Sequence, residues 1–340
     1  MTFSDSENFT CNICGAVCKR LAGPPGREVP SCTACGSTVR LRGLIALLSR
    51  ELFGVELTIP DFPVSKGIRG FGMSDPPELA GRLEEKFEYT NTFYHQEPRL
   101  DVADPTAEQL QARTGQYDFI LSSEVLEHVS PPVERAFANL NKLLKPNGLL
   151  LLTVPYRIDG QTAEHYPELH EYSLAAPGGR TVLVNRRRDG SIEVFENLSF
   201  HGGDGSTLEM RIFSEPSLKE ILARAGFTSV QVATEDIPEF GVLHDETWSL
   251  PIVGRKGRFQ PPFVEITEAY ARAVRRVALL ERQLEDRTQW ARALRKENET
   301  ALADFQTVAA EAKRAANYIQ SLEQDLAAAR AALAKSRPGR

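Results

Sequence analysis

The chain has 340 residues, 41% of them hydrophobic and 25% charged, with a formal net charge of −6; this is enough apolar content to bury a core, and it excludes a disordered or collagenous chain. No stretch approaches the roughly 18 consecutive apolar residues of a membrane span. The polar start "MTFSDSENFT" also lacks the basic and apolar regions of a secretory signal, so the sequence predicts a cytoplasmic protein.

Charge is unevenly spread. Residues 261–340 carry 14 basic and 11 acidic side chains, which leaves −9 for residues 1–260. An acidic body argues against a main role in gripping nucleic acid, which needs a basic face.

Residues 1–36 form the first composition regime. Four of the five cysteines fall here as two pairs, "CNICG" and "CTACG": Cys11, Cys14, Cys32 and Cys35, spaced C-x2-C-x17-C-x2-C. In a reducing compartment this spacing reads as a four-thiolate zinc site rather than a disulfide framework. Gly15 and Gly36 follow the pairs, where tight knuckles call for positive φ. Four thiolates close the coordination sphere, so the expected role is structural, and Cys18 is the spare. The plainer alternative is free thiols in a flexible leader. The zinc knuckle would staple the leader onto the helix "STVRLRGLIALLSRELF", whose apolar stripe is Val39, Leu41, Leu44, Ile45, Leu48 and Phe53.

Residues 37–260 alternate helix-like and strand-like segments. "PELAGRLEEKF" reads as a helix, "EYTNTFY" and "RLDVAD" as strands, "AEQLQAR" as a helix and "YDFILSS" as a strand. "PVERAFANLNKLLK" is a helix stopped by Pro146 and the "NG" after it, and the apolar "GLLLLTVP" is a buried central strand. This alternation predicts a doubly wound parallel α/β sheet with ligands at the carboxyl ends of its strands. Residues 156–208 are an inserted lid whose "TVLVNRRRDGSIEVFENL" predicts a hairpin with a type I′ turn at Asp189-Gly190. "EPSLKEILARAGF" and "TSVQVAT" then close the domain as a helix and strand.

Residues 263–335 lack Gly and Pro and follow a heptad seam that includes Tyr270, Val277, Leu280, Leu284, Leu294, Phe305, Val308, Ile319, Leu322 and Leu326, broken by Arg287 and Asn298. A helix this long cannot bury the seam by itself, so the expectation is a coiled coil and a homo-oligomer.

"GIRGFGMSD" at 67–75 looks like a rewritten nucleotide-binding glycine loop: Gly70 and Gly72 are present, and Ser74 stands where a third glycine would fall. The longer segment "YDFILSSEVLEHVSPPVERAFANLNKLLKPNGLLLLTVPY" resembles class I S-adenosylmethionine-dependent methyltransferases, through Asp118, "EVLEHV", "LLKPNG" and the buried "LLLLTVP". The resemblance extends over residues 66–235 and, more closely, to a bacterial subgroup with an N-terminal four-cysteine knuckle.

The resemblance implies S-adenosylmethionine binding at Gly70 and Gly72, with the ribose carboxylate at the end of the second strand replaced by Asn91 and Thr92. Asp75 or Asp101 is then the candidate ribose or adenine contact. Glu124, Glu127 and His128 form E-x-x-E-H, read as i, i+3 and i+4 on one helix face. Some small-RNA and ubiquinone-pathway O-methyltransferases bind a divalent metal with a similar motif, which makes Mg2+ the metal-assisted alternative; helix-end charge and packing are the plain reading. Glu124, His128, His165 and His170 are the candidate catalytic residues. His201 with Gly202, Gly203 and Gly205, and the arginines 186–188, are weaker candidates for substrate contact. The expected function is S-adenosylmethionine-dependent O-methylation of a saccharide or polysaccharide-pathway acceptor, and the alternative is a non-catalytic scaffold assembling through knuckle and coil.

Overall fold

The computed structural model describes residues 8–19, 26–201, 207–259 and 263–335. The chain divides into a body, residues 1–273, and a helical unit, residues 274–340.

Among the described residues the body begins with a short antiparallel hairpin, β1 (Asn8–Thr10) and β2 (Val17–Lys19), whose turn carries Cys11 and Cys14. Helix α1 (Val39–Phe53) follows; the Thr38 hydroxyl accepts from the Leu41 N–H at its start, a cap worth about 1 kcal/mol. Its apolar stripe is buried as the spacing predicts. Arg42, on the same helix, is also fully buried. Its guanidinium donates to Ser37 O, Ser31 Oγ, Phe240 O and Gly241 O, tying the cysteine segment to the body. Those bonds offset the cost of burying the charge.

The central sheet is built from β3 (Arg69–Met73), β4 (Glu88–Thr92), β5 (Tyr117–Ser123), β6 (Leu144–Thr153) and two late strands. Helices α2 (Pro77–Lys86), α3 (Ala107–Arg113) and α4 (Glu134–Leu143) intervene. β4, β3, β5 and β6 run parallel. Leu149 to Leu152 on β6 are all fully buried, and each contributes about 1.5–3 kcal/mol of burial free energy.

Three local expectations change. "RLDVAD" contributes only an isolated bridge, Phe93 to Arg99, and no strand. α4 ends at Leu143, and "LKPNG" already belongs to β6, with an irregular register opposite Tyr117–Phe119; pairing of Leu144 with Tyr117 of β5 ends the helix before Pro146 can act as a helix stop. "PIVGR", not singled out in the sequence, contains a sheet strand.

The inserted segment contains β7 (Tyr156–Arg157), β8 (Ala163–Glu164), β9 (Glu171–Ala175), β10 (Val182–Arg186), β11 (Ile192–Phe195), β12 (Phe200–His201) and β13 (Thr207–Leu208). β9, β10 and β11 form a separate antiparallel sheet. Its β10–β11 hairpin is present, but the turn is not type I′, which needs φ > 0 at both central residues. Gly190 alone is left-handed (φ 88°), and its N–H bonds Arg187 O. Gly202, Gly203 and Gly205 lie outside the described residues.

β14 (Arg211–Ser214) then pairs with both β7 and β8, and α5 (Glu215–Arg224) and β15 (Ser229–Val232) follow. β16 (Ile252–Arg255) slots antiparallel between β15 and β6, giving the order β15-β16-β6-β5-β3-β4. From β3 the chain passes to β4 on one side and later to β5 on the other, so the topological switch point lies between β3 and β5.

Helix α6 (Phe263–Lys335), of 73 residues and roughly 110 Å by its rise per residue, begins at the end of the body and supplies the helical unit. Its seam residues are exposed, Leu284 at 67% and Phe305 at 70% among them. No helix among the described residues is long and apolar enough to cross a membrane.

Candidate active site

Ligands of open α/β sheets sit outside the carboxyl ends of the strands at the switch point, here beyond Met73 and Ser123. Ser74 follows β3 with φ 59°, the left-handed conformation that favours glycine. The rewritten loop therefore keeps the turn geometry of a glycine loop with a serine in it. Gly70 and Gly72 are required by packing on the strand itself. A Cβ on Gly70 would stand 2.3 Å from the Phe119 ring, and one on Gly72 would stand 2.0 Å from the Asp75 carboxylate and 2.2 Å from the Tyr89 hydroxyl.

Asp75 is fully buried beneath this turn. Tyr89 donates to its Oδ2, and Asn91 bonds its backbone on both sides. Oδ1 has no hydrogen-bond partner among the described residues. Burial pushes the carboxyl up to about 6, against the lowering effects of the Tyr89 hydroxyl and the Arg40 guanidinium. A buried acceptor oxygen left open at the switch point suits a ligand bearing ammonium or hydroxyl donors. Thr92 does not serve in that way: it is buried and its hydroxyl is spent on Gly72 O. Asp101 is half-buried in the loop after the Phe93–Arg99 bridge, its Oδ1 accepting from the Ala103 and Asp104 N–H groups.

Across the crevice, the E-x-x-E-H residues do not share an α-helical face. Glu124 has φ 56°, and Leu126–His128 form a single 3-10 turn. α4 begins only at Glu134, because the prolines at 131 and 132 interrupt the segment.

Glu124 accepts from Arg27 Nη2 at 2.6 Å. Burial would raise its carboxyl, but the Arg27 bond and charge hold it below the ordinary carboxylate range. Glu127 is fully buried, and burial together with the Glu124 charge pushes it well above that range. The neighbouring carboxyls are therefore unequal, the affinity for a proton lowered at Glu124 and raised at Glu127.

The insertion is welded to this turn. Met210 N–H donates to Glu127 O, Leu208 O meets His128 Nδ1 at 2.9 Å, and the fully buried Arg211 donates to Leu126 O and Val129 O. Its Nε bonds Glu164 Oε1 at 2.7 Å. His165, next in chain, has its backbone N–H on Met210 O and its Nε2 at 2.8 Å from Glu209 Oε1. Glu209 is close enough to Glu127 to raise its carboxyl further. Glu124, Glu127, His128 and His165 thus gather at one end of the sheet. His170 does not join them: its described contacts are Asn185 and Glu171 on the appended sheet. Arg186 and Arg187 are there as well, paired with Glu171, Glu168 and Glu193.

The sequence reading missed Arg27 and Arg40. Arg27 lies between the cysteine pairs and bonds Ser249 O as well as Glu124. Arg40, in the first turn of α1, bonds Ser123 Oγ and Glu28. Nothing local marks either one: Arg27 lies in the segment read as metal-binding and Arg40 on the helix that follows it.

The sulfur atoms of Cys11, Cys14, Cys32 and Cys35 lie within 4.8 Å of one another, with Cys11–Cys35 at 3.7 Å and Cys14–Cys32 at 3.6 Å. A tetrahedral ion with metal–sulfur bonds of about 2.3 Å needs sulfur separations of about 3.8 Å, so the set fits zinc. Gly15 and Gly36 have the expected positive φ of 80° and 68°. Burial pushes the Cys32 thiol up, but backbone N–H groups of Cys35 and Ala34 and the neighbouring thiols bring it down to about 6. Cys18 Sγ is 3.5 Å from Cys32 Sγ. Among the described residues this is the only group of three or more potential ligands that converges; Glu124, Glu127 and His128 do not.

A parallel sheet with an antiparallel strand inserted near one edge, a left-handed turn at its switch point and acids at the strand ends define the class I S-adenosylmethionine-dependent methyltransferase. The chain belongs to the methyltransferase-domain family, which matches residues 62–232. Comparison with the curated proteins finds no match.

Among solved structures, the chain is similar to the 1,6-didemethyltoxoflavin-N1-methyltransferase of Burkholderia thailandensis, with 16% identity, a TM-score of 0.33 and coverage of 74% of this chain and 97% of that one. It is also similar to the amino pentose methyltransferase CalS10 of Micromonospora echinaspora, at 14%, 0.34, 65% and 92% respectively. The sugar N-methyltransferase KedS8 of Streptoalloteichus gives 13%, 0.34, 62% and 84%. At these values the structures add nothing to the family match.

Proposed function

We propose that this methyltransferase transfers its methyl group to a hydroxyl of a saccharide or polysaccharide-pathway acceptor. The observation that carries the reading is the His165–Glu209 pair at 2.8 Å, beside the Glu124–Glu127 turn and still partly open to solvent. Exposed aromatic rings add to it. Tyr94 and Tyr172 are solvent-facing, and Tyr94 lies within electrostatic reach of both Asp101 and Tyr172. Such rings offer an apolar face to a sugar ring and a hydroxyl to its polar edge.

Bound S-adenosylmethionine supplies an electrophilic methyl group on a sulfonium whose leaving group is neutral. The protein's part is positioning and proton removal. With the Nε2 proton of His165 donated to Glu209 Oε1, Nδ1 is the basic nitrogen that takes the acceptor hydroxyl's proton as its oxygen attacks. Asp75, Asp101 and the backbone at Ser74 hold the amino-acid and nucleoside parts. The four cysteines hold a structural zinc ion, and the α6 seam joins copies of the chain.

The test is transfer of isotopically labelled methyl from S-adenosylmethionine to a panel of monosaccharides, nucleotide sugars and oligosaccharides. Label retained as a base-stable methyl ether supports the reading. No label on any saccharide, with transfer to a protein or small-molecule acceptor instead, overturns it. On an accepted saccharide, His165→Gln should cut turnover by roughly tenfold or more while S-adenosylhomocysteine binding persists.

A further inference from the structure

The loop between the cysteine pairs does more than staple the N-terminal region to the body: its Glu28 and its Arg27 carbonyl hold Arg40, at the start of α1, so that a guanidinium lies across the switch point. Arg40 Nη1 bonds Ser123 Oγ at the carboxyl end of β5. From there the same guanidinium acts electrostatically on Asp75 after β3 and on Glu124 after β5. Arg40 therefore sits over the crevice between the two strands that bound it. Its side chain is 14% exposed, and its acidic partner, Glu28, is 48% exposed and bonded through Arg40 Nε at 2.8 and 3.0 Å. Nη2 makes no hydrogen bond among the described residues. The neighbouring Arg27 is differently placed, since its Nη2 is spent on the buried Glu124 carboxylate at 2.6 Å.

The chemistry of the ligand completes the argument. S-adenosylmethionine carries a sulfonium, an ammonium and one anion, its carboxylate. The crevice already holds acids for the cations, Asp75 and Glu124 among them. What the carboxylate requires is a cation that can exchange a solvent-exposed partner for a ligand at little cost, and a guanidinium meets a carboxylate through two parallel bonds.

We propose that Arg40, at the start of α1 and held by the loop between the cysteine pairs, anchors the carboxylate of the cofactor's amino-acid end. The loop between the cysteine pairs is then part of the cofactor site, because Glu28 on it holds the Arg40 guanidinium and its Arg27 carbonyl accepts the Arg40 backbone N–H. This inference rests on the cofactor crevice and not on the identity of the acceptor.

The test is calorimetric titration of the full-length, metal-loaded protein with two ligands: S-adenosylhomocysteine, and 5′-deoxy-5′-methylthioadenosine, which keeps the nucleoside and sulfur but lacks the amino-acid end. Arg40→Gln should weaken S-adenosylhomocysteine by about 10- to 100-fold, the scale of a lost charge-assisted pair, and leave methylthioadenosine unchanged. A purely structural role would move both ligands together or neither, and either result overturns the proposal. If Arg40→Gln does not fold, Arg40→Lys, which keeps the charge without the fork, is titrated with the same pair. Selective loss of S-adenosylhomocysteine affinity supports the anchor, and equal changes overturn it. Failure of the wild-type protein to bind either ligand removes the crevice itself, an outcome separate from failure to methylate a saccharide.

Discussion

Arg27 and Glu124, 97 residues apart in sequence, meet at 2.6 Å, the guanidinium coming from the loop between the cysteine pairs and the carboxylate from the turn after β5. Glu124 is nearly inaccessible, with 7% of its side chain exposed, and against that burial the Arg27 bond is the main influence holding its carboxyl down. The contact makes the N-terminal segment a wall of the candidate active site.

Removing one partner of so enclosed a pair leaves the other charge uncompensated. Arg27→Met is expected to destabilise the body by about 2–4 kcal/mol, and the Arg27→Met/Glu124→Gln double variant to recover most of that, as read from urea midpoints at pH 7. The pH dependence follows from the depressed Glu124 carboxyl. Its stabilising contribution is present above the unfolded carboxyl range and lost as pH falls through the folded value. In Arg27→Met that acid-side loss should disappear, because burial then favours the protonated form.

Asp75 carries the opposite sign. Its folded value is raised to about 6, so its contribution is fully present below the unfolded value near 4 and lost as pH rises through about 6. Ionised at neutral pH, the buried group costs up to about 3 kcal/mol. Asp75→Asn should therefore be more stable than wild type at pH 7, with the gain vanishing towards pH 4, and should bind S-adenosylhomocysteine more weakly. Urea titrations across that window, with calorimetry at pH 7, measure both effects.

The fifth cysteine gives a clean test of the metal cluster. Cys14→Ser or Cys35→Ser should lose zinc and lower the melting temperature, since such sites contribute folding free energy. Cys18→Ser should retain one zinc ion per chain despite the 3.5 Å approach of Cys18 to Cys32. Elemental analysis of the purified variants checks this, and loss of zinc from Cys18→Ser would make Cys18 a ligand.

The seam on α6 exposes Leu284, Phe305 and Leu322 to solvent. Replacing Leu284 and Leu322 with Asp should shift the protein to monomer in light-scattering chromatography without changing the melting of the body. An unshifted mass would mean that the seam does not join copies.

Much of the fold was legible because the signals were local. The apolar run at 149–152, the Thr38 cap and the paired cysteines each depend on neighbours in sequence. What was hidden depended on distant partners. "PIVGR" is too short and too late in the chain to announce itself as the strand that separates β15 from β6. "EVLEHV" has helical spacing, but a left-handed Glu124 and the prolines after it break the helix. Thr92 occupies the expected ribose position, yet its hydroxyl turns to Gly72 O, a bond that no spacing reveals. Arg27 and Arg40 were invisible as site residues because their carboxylate and hydroxyl partners lie 97 and 83 residues away. Conversely, the sequence suggests cofactor contacts at Gly70 and Gly72, whereas the packing of Tyr89 and Phe119 already requires glycine there.

The serine-bearing turn at 72–75 keeps the backbone geometry of a cofactor-binding loop. Calorimetric titration of the full-length, metal-loaded protein with S-adenosylhomocysteine tests most directly whether it still forms a working cofactor crevice. Saturable one-to-one binding in the micromolar range, weakened by Arg40→Gln, is the expected result. No heat and no thermal shift, from a sample that is folded and retains its metal, would contradict it.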